Sequence, residues 1–314
     1  MNRPVTSTDV SAAHPTGPRI VLFVEEGAGD WHARRLKAAM EARGAQVATT
    51  TLAACAFDTS SPSGMDIPGF GGLLPDGAFV RSVSTGTLEQ ITFRLGILHA
   101  LRASGVRVWN DARTIERCVD KSTATFLFQK AGLPTPPTRV VETRERAMAR
   151  ASAEPGPLVI KPLFGSQGNG VQRVANAEAL PPAEDVNNVY YVQPYLRAAD
   201  ATQFEDWRVL VSNGVVLSAM ARRGKTWITN VHQGAEPTAH VPCAEMERLA
   251  LGAVAAIGAD YAGVDLIRDP SGRLMVLEIN SNPAWKGLQA VTPGVDLADM
   301  LARDFLSALI KATA

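Results

Sequence analysis

Apolar runs alternate with helical patterns along the first third of the chain. Residues 19–26 (RIVLFVEE) form a strand-like apolar run. Residues 27–44 follow with glycine punctuation, apolar positions at helical spacing and a closing Gly44. Residues 46–52 (QVATTTL) are the next strand candidate. This order of strand, helix and strand predicts a βαβ opening, which is typical of an α/β domain.

Helical and strand patterns continue to the proline-rich residues 133–141. Residues 70–83 are turn-rich around a weak strand, and residues 106–110 (VRVWN) are a short strand candidate. Between them a long amphipathic helix is predicted, with Thr87 and Gln90 as a capping box at its start and Gly105 at its end. Residues 113–132 predict a helix pair or a kinked helix.

Strand patterns dominate the remainder of the chain. One helix is predicted there, over residues 243–258. The apolar runs that predict strands are residues 157–163, 188–196, 207–213, 215–224, 262–269 and 273–280.

Composition and charge narrow the class of protein. The chain has 314 residues, of which 46% are hydrophobic and 20% charged, so two or three packed subdomains are expected. Lys+Arg and Asp+Glu balance at 31 each, so the chain has no overall positive potential that would indicate a nucleic-acid partner. No apolar run approaches the ~18 residues of a membrane span. Cys55, Cys118 and Cys243 lie far apart, which favours a reduced, cytoplasmic compartment.

Residues 1–18 differ from the rest of the chain. They are polar, contain prolines and have no apolar core of a secretory signal. We therefore expect a disordered leader that is dispensable for folding.

Polar side chains lie on the last predicted pair of strands, among otherwise apolar residues. Residues 262–280 read as a hairpin around Asp-Pro-Ser-Gly, a type I turn sequence. If the residues beside the turn pair with each other, Asp265 lies opposite Val276, and Glu278 is its diagonal neighbour on the same face. Asn280 faces the same way. Such oxygen ligands suit Mg²⁺. A solvated hairpin face is the alternative, but an unpaired charge on these apolar strands would cost several kcal/mol.

A glycine loop follows another strand directly. Lys161 ends the apolar run, and Gly165, Gly168 and Gly170 follow, so bare backbone N–H groups and one cation can meet at phosphate oxygens. A flexible hairpin is the alternative. The order excludes a P-loop, whose lysine ends the glycine loop, and a protein kinase, whose glycine loop precedes the lysine. No GxGxxG follows the first strand, so a Rossmann site is not supported.

Seven segments of the chain follow one another in a recognisable order. They are VDKSTATFLFQKAGLPTPPT, VIKPLFGSQGNGV, QPYL, EDWRVLVSNGVVLSAMARR, TNVHQGA, GVDLI and LEINSNPAWKGLQ. Together they resemble the ATP-grasp superfamily, in its RimK-like branch of amino-acid ligases. The resemblance covers about residues 80 to 300, and it implies an α/β (α+β) ATP-grasp fold. The ending PAWKGLQ and residues 82–106 look most like the tetrahydromethanopterin α-L-glutamate ligase-like members. This chain departs from the family with Ala235 and Ala284 where glycine is usual, which puts the substrate loops outside the pattern.

The resemblance implies three domains after the leader. Residues 19–113 would form an N-terminal α/β (pre-ATP-grasp) domain. Residues 114–192 would form the central subdomain with the glycine loop, and residues 193–314 the C-terminal subdomain with the metal site. The last two would grip ATP between them. Loops of the first domain, Glu25–Trp31 and Arg81–Thr87, are expected to help bind the acceptor.

Roles at the site follow from the same resemblance. Arg222 would stabilise the acyl phosphate and the tetrahedral intermediate, with Lys161 as the second catalytic cation. Asp265, Glu278 and Asn280 would hold two Mg²⁺ (or Mn²⁺) ions. The ATP-binding residues would be Lys121, Lys161, Gly165, Ser166, Gln167, Gly168, Gly170 and Asn230 at the phosphates, Asp206 near the ribose, and Gln193, Pro194, Tyr195 and Leu196 as the hinge against adenine.

Some side chains near these motifs have an equally plain structural interpretation. Adjacent strand residues face opposite sides, so one of Arg222 and Arg223 is solvated, and the resemblance selects Arg222 as the inner one. His232, the one histidine near the predicted site, is interpreted as structural. Trp31 and Trp285 fit packing as well as ligand stacking.

The activity implied is an ATP-dependent carboxylate–amine ligase that works through an acyl phosphate. L-glutamate would be added to a carboxylate of a pterin or furan C1 carrier or another small-molecule acid, and a homodimer or homotetramer fits the family. An ATP-grasp kinase of a small-molecule hydroxyl is the first alternative. A non-catalytic nucleotide-binding protein is the second, although both lysines and the D…E-x-N set favour an enzyme.

Overall fold

The computed structural model describes residues 17–25, 27, 29–154, 156–165, 168–196 and 203–312. Two predictions fall outside this part of the chain. They are the leader, except for its last residues Gly17 and Pro18, and the glycine-loop residues Ser166 and Gln167.

The first sheet is parallel and has the strand order β2-β1-β5-β6. Its strands are apolar on both faces because helices cover both. Ile20 and Leu22 of β1 pack in the cluster with helix α1, whereas Val21 and Phe23 pack in the cluster with helix α2. The elements of this part are β1 (Arg19–Phe23), α1 (Trp31–Ala42), β2 (Gln46–Thr50), β3 (Ala56–Phe57), β4 (Met65–Asp66), β5 (Gly77–Val80), α2 (Leu88–Ala103), β6 (Arg107–Trp109) and α3 (Ala112–Val119).

The second sheet is antiparallel, with the order β7-β10-β8-β9. The predicted helix pair or kinked helix is a pair, α3 and α4. Asp120 separates the two, because its side chain accepts the Ser122 and Thr123 N–H groups and caps α4. The elements are α4 (Lys121–Lys130), β7 (Arg139–Val141), α5 (Arg144–Ala151), β8 (Leu158–Lys161), β9 (Gln172–Val174) and β10 (Tyr190–Pro194).

The third sheet has five antiparallel strands in the order β13-β12-β11-β14-β15. Helix α6 packs its apolar face, including Leu249 and Ala253, against strands β11, β14 and β15. The elements are β11 (Phe204–Ser212), β12 (Val215–Gly224), β13 (Glu236–Ala239), α6 (Ala244–Ile257), β14 (Tyr261–Arg268), β15 (Leu274–Asn280), α7 (Lys286–Val291) and α8 (Leu297–Ala312). Helices and strands therefore mix as an α+β fold.

The last helix returns to the first sheet. The apolar residues Leu297, Leu301 and Phe305 of α8 are fully buried and pack with Phe79 and Trp109 of the parallel sheet. The sequence prediction omits α8, although its apolar positions repeat at helical spacing. The predicted domain bounds remain a prediction, and α8 shows that the end of the chain packs on the beginning.

The first and third sheets are joined by a buried side chain. Asn110 follows β6, and its amide donates to the carbonyls of Tyr261 (2.8 Å) and Ser281 (2.9 Å). Its oxygen accepts the Asp260 N–H at 2.7 Å. Asn110 thereby ties the start of β14 and the end of β15 to the first sheet.

Within the described residues, no helix has both the length and the apolar character needed to cross a lipid bilayer.

Candidate active site

An open pocket of about 130 Å³ lies between the second and third sheets. It collects most of the residues predicted from sequence. Helix α4 contributes Lys121, and strand β8 with the glycine loop contributes Lys161, Gly165 and Gly168. The third sheet and the loop after β12 contribute Asp206, Arg222, Asn230, Asp265, Glu278 and Asn280.

The β14–β15 hairpin brings the predicted metal ligands together in a register that differs from the prediction. Asp265 lies directly opposite Glu278, not opposite Val276. The prediction was wrong for two physical reasons. Arg268 pairs with Leu274, so the turn is one residue longer, and Leu277 is an extra residue in a β-bulge beside Asp265. Direct opposition brings the carboxylates closer than the predicted diagonal arrangement would.

A buried network of alternating charges crosses three strands of the floor. Asp206 and Arg222 are cross-strand partners, as are Arg208 and Asp265. Arg222 donates to both Asp206 oxygens at 2.7 Å, and its Nη2 lies 3.1 Å from Asp265. Arg208 donates to both Asp265 oxygens at 2.7 Å. Charge-assisted pairs of this geometry hold the guanidinium groups rigidly.

The network shifts the acidities of its carboxylates in opposite directions. Burial raises the pKa of Asp206, against the pull of Arg222. Burial acts in the same sense on Asp265, but Arg208 and Arg222 together hold its pKa below the ordinary value. Asp265 therefore stays an anion at the floor of the pocket. The neighbouring Arg223 is exposed and pairs with Glu205 at 2.6 Å, so Arg222 is the inner arginine.

Two lysines face Glu278 across the pocket. Burial lowers the pKa of Lys161 to about 8, although Glu278 acts in the opposite sense. Burial also lowers the pKa of Lys121, whose Nζ donates to the Gly165 carbonyl at 2.7 Å. Clustered, partly desolvated cations favour an anionic ligand that would complete their environment.

The glycine loop lies against the loop that follows β12. Gly168 has φ +75°, and a Cβ at this position would meet Ile228 at 2.7 Å and Gln233 at 2.9 Å. Glycine is therefore required for both conformation and space. Gly170 also has positive φ, but it does not line the pocket.

The predicted adenine hinge flanks the pocket. Gln193 is buried, and its amide donates to Thr138 (2.8 Å) and to the Tyr191 hydroxyl (3.1 Å). The Tyr195 N–H donates to the Pro157 carbonyl at 2.9 Å. Other backbone groups of residues 193–196 would therefore have to contact the adenine, and this role stays a prediction.

Asp206 and Asn230 have partners of their own. Both Asp206 oxygens accept from Arg222, so the structure shows it holding that guanidinium. The Asn230 oxygen accepts the His232 N–H at 2.8 Å. Contacts of these two residues with the ribose and the phosphates remain predictions.

The residues present fit a magnesium ion. Asp265 and Glu278 supply carboxylates, Asn280 supplies an amide, and its buried Nδ2 has no hydrogen-bond partner among the described residues. The described residues contain no group of three His, Cys, Asp or Glu side chains suited to a metal. A cation here would therefore draw its other ligands from phosphate oxygens and water, which is the preference of Mg²⁺.

The sequence prediction missed several side chains. Arg208 lies two residues after Asp206, so strand alternation alone places it on the same face. Trp227 lines the pocket and meets the Tyr195 ring edge-on at 5.8 Å. His32 contacts the backbone that follows β15, across 253 residues of sequence, and no local pattern signals it.

Comparison with solved structures identifies the fold. The ATP-grasp ligase PsnB, solved with a phosphomimetic variant of its minimal precursor, Mg and ADP, superposes with a TM-score of 0.69 at 20% identity. The superposition covers 96% of this chain and 100% of that chain. The fold is therefore an ATP-grasp fold.

The sequence comparison then gives the family. Residues 118–305 match the RimK-like ATP-grasp domain, and the chain belongs to this family of ATP-dependent ligases. The tetrahydromethanopterin:alpha-L-glutamate ligase of Methanococcus maripaludis is 33% identical over 73% of this chain and 78% of that protein. "Probable alpha-L-glutamate ligase 2" of Shewanella denitrificans is 31% identical over 89% of this chain and 92% of that protein.

Proposed function

We propose that this ligase joins the α-amino group of L-glutamate to a carboxylate that it first activates with ATP as an acyl phosphate. The observation that carries the proposal is the convergence, in one pocket, of Lys161, Arg222 and the Asp265–Glu278 pair. The names of the related ligases support glutamate as the amine.

ATP would lie between the second and third sheets with its phosphates at the two lysines. Lys121, Lys161 and the N–H groups of the glycine loop neutralise and orient the phosphates. Asn230 adds a contact from the opposite loop. Residues 193–196 contact the adenine, and Asp206 lies toward the ribose.

Two displacements complete the reaction. An oxygen of the acid attacks the γ-phosphorus in line, the bond to the bridging oxygen of ADP breaks, and an acyl phosphate forms. The amine then attacks the acyl carbon, inorganic phosphate leaves, and the amide nitrogen loses a proton. Arg222 and Lys161 are fixed cations where negative charge develops on the phosphoryl and carbonyl oxygens.

We assign the metal ligands to Asp265, Glu278 and Asn280, holding two Mg²⁺ ions. When bound, these ions neutralise phosphate charge and favour phosphoryl transfer. Because Arg208 holds both Asp265 oxygens, this side chain must loosen its pair for Asp265 to contact a metal.

For the acceptor we propose the carboxylate of a pterin or furan C1 carrier or a similar small-molecule acid. Support comes from the ligase of M. maripaludis, whose name includes tetrahydromethanopterin. The free cysteines and balanced charge fit a cytoplasmic enzyme, and a dimer or tetramer fits the family.

The test is the stoichiometry of products. With Mg²⁺, ATP and an extract of small acids, we expect ADP and inorganic phosphate in equal amounts, and only when L-glutamate is present. Hydroxylamine should replace glutamate and trap the acyl group as a hydroxamate. ADP without free phosphate, together with a stable phosphate ester, would instead establish a kinase.

A further inference from the structure

Three side chains of the N-terminal part hold the segment 281–286, which follows the β14–β15 hairpin. Arg81 and Asn110 come from the loops after β5 and β6, and His32 comes from the first turn of helix α1. This clasp joins the N-terminal part of the molecule to the residues directly after Asn280. Its contacts are Asn110 Nδ2 to the Ser281 carbonyl (2.9 Å), Arg81 Nη1 to the Asn282 carbonyl (3.0 Å), and His32 Nε2 with the N–H groups of Trp285 (3.2 Å) and Lys286 (3.3 Å).

The contacts define the tautomer of His32. Its Nε2 faces two backbone N–H donors, so this nitrogen accepts and carries no proton. The proton therefore lies on Nδ1, which donates to Asp30 at 3.0 Å. Asp30 also caps helix α1 through the His32 N–H, and it lies 3.5 Å from Arg81 Nε. Asp30 thus orients the imidazole and connects it to Arg81.

Packing fixes the ring as well. The His32 side chain is only 13% exposed and lies edge-on to Trp31 (5.2 Å) and to Trp285 (5.0 Å). Trp285 is fully buried, whereas Ala284 and Lys286 beside it are exposed. Trp285 therefore packs in the interior, and the Nε2 atom of the imidazole accepts from the backbone of the segment.

The position of the segment defines what it can affect. It starts directly after Asn280, and its Asn282 carbonyl accepts from Arg81, the first residue of a loop that we expect to help bind the acceptor. Its six residues, all described by the structure, do not line the nucleotide pocket. A loss of the clasp should therefore disturb the organic substrates and leave the nucleotide site intact.

We propose that His32, oriented by Asp30, is a positioning residue that holds the segment 281–286 in place for the acid and amine substrates. This inference rests on the proposed ligase function. Positioning errors of about 1 Å can lower turnover strongly even when no reacting group is lost.

Two substitutions separate the acceptor from the ring. His32→Phe keeps an aromatic ring between the two tryptophans but removes the acceptor. His32→Gln loses the ring and offers an amide oxygen close to the place of Nε2. We expect His32→Phe to raise the KM for L-glutamate at least about tenfold, with the KM for ATP within twofold of wild type, and His32→Gln to restore most of the loss.

A second readout does not depend on turnover. Trypsin cleaves after Lys286 only when the local backbone opens, so His32→Phe should speed this cut about tenfold, while the cut at the exposed Lys225 stays unchanged. Equal cleavage and equal KM in wild type and His32→Phe would overturn the inference. So would a His32→Gln variant as impaired as His32→Phe. A wild-type enzyme without glutamate-dependent ADP release would instead overturn the proposed function, and the positioning role with it.

Discussion

At the scale of single residues, the pocket is defined by charges that water no longer surrounds. Arg222 has two carboxylate partners, whereas Lys161 has no carboxylate in direct contact among the residues that the structure describes, and its pKa is lowered. This contrast gives the two cations different properties. Arg222 stays charged at any working pH, and Lys161 is sensitive to pH until an anion binds.

Nucleotide binding should therefore transfer a proton to Lys161. Its pKa of about 8 lies below the ordinary 10.5, so near pH 8 about half of the free enzyme carries a neutral amine. A bound phosphate favours the charged form of Lys161, so the affinity for the nucleotide should fall as the pH rises through 8. Calorimetry with a non-hydrolysable ATP analogue in HEPES and in Tris should show proton uptake. Lys161→Met should abolish the uptake, and equal enthalpies for the wild type in both buffers would refute the assignment.

Substitution of Arg222 should also destabilise the fold. Arg222→Met leaves Asp206 buried without its partner, which costs about 3–5 kcal/mol. Arg223→Met is the matched control, since this exposed arginine pairs with Glu205 at the surface and the loss of such a pair costs about 0–1 kcal/mol. Urea denaturation measures both. Similar losses in the two variants would show that the network contributes little to stability.

At the scale of secondary-structure elements, local signals gave the type of most elements but not their register. The Thr87–Gln90 capping box, the hairpin β14–β15 and the strand ending at Lys161 were all readable. The bulge at Leu277 was not, because an extra residue in one strand leaves no compositional trace. The predicted grouping of the metal ligands does not depend on this error, because Asp265, Glu278 and Asn280 still share a face.

The glycine loop offers a test at this scale. Gly168→Ala should weaken binding of Mg·ATP analogues about tenfold or more, because its Cβ would displace Ile228 and Gln233 and shift the loop. Gly214→Ala is the control. Gly214 has φ +74° in the β11–β12 turn with open space around it, so this variant has the same backbone strain of about 1–2 kcal/mol and no clash. Equal nucleotide affinity in the two variants would show that the loop does not depend on this contact.

At the scale of the whole molecule, contacts between residues that are far apart in the sequence could not be predicted from local sequence patterns. The order of motifs identified the ATP-grasp fold, but it did not show that α8 packs on the first sheet or that His32 contacts the segment after β15. Such contacts join residues more than 200 positions apart, and they depend on packing that no window of the sequence records. Asn110 and α8 together make the first and third sheets one body.

Truncation of one α8 side chain should therefore destabilise the N-terminal part. Phe305 is fully buried and lies edge-on to Phe79 (5.4 Å) and Trp109 (5.9 Å). Phe305→Ala should cost about 3–5 kcal/mol. Fluorescence and circular dichroism should report one shared unfolding transition that moves as a unit. Ile310→Ala, at an exposed position of the same helix, is the control and should change little. Two separate transitions, with only one displaced, would contradict this account.

The most direct measurement of the central claim is mass spectrometry of the product made with isotope-labelled L-glutamate. The wild-type enzyme, Mg²⁺, ATP and a pool of small carboxylic acids should give a new compound that carries the label in an amide. Lys161→Met and Glu278→Gln should give none. A phosphorylated product without label, formed equally well when glutamate is omitted, would contradict the assignment of this pocket to acyl-phosphate-dependent amide formation.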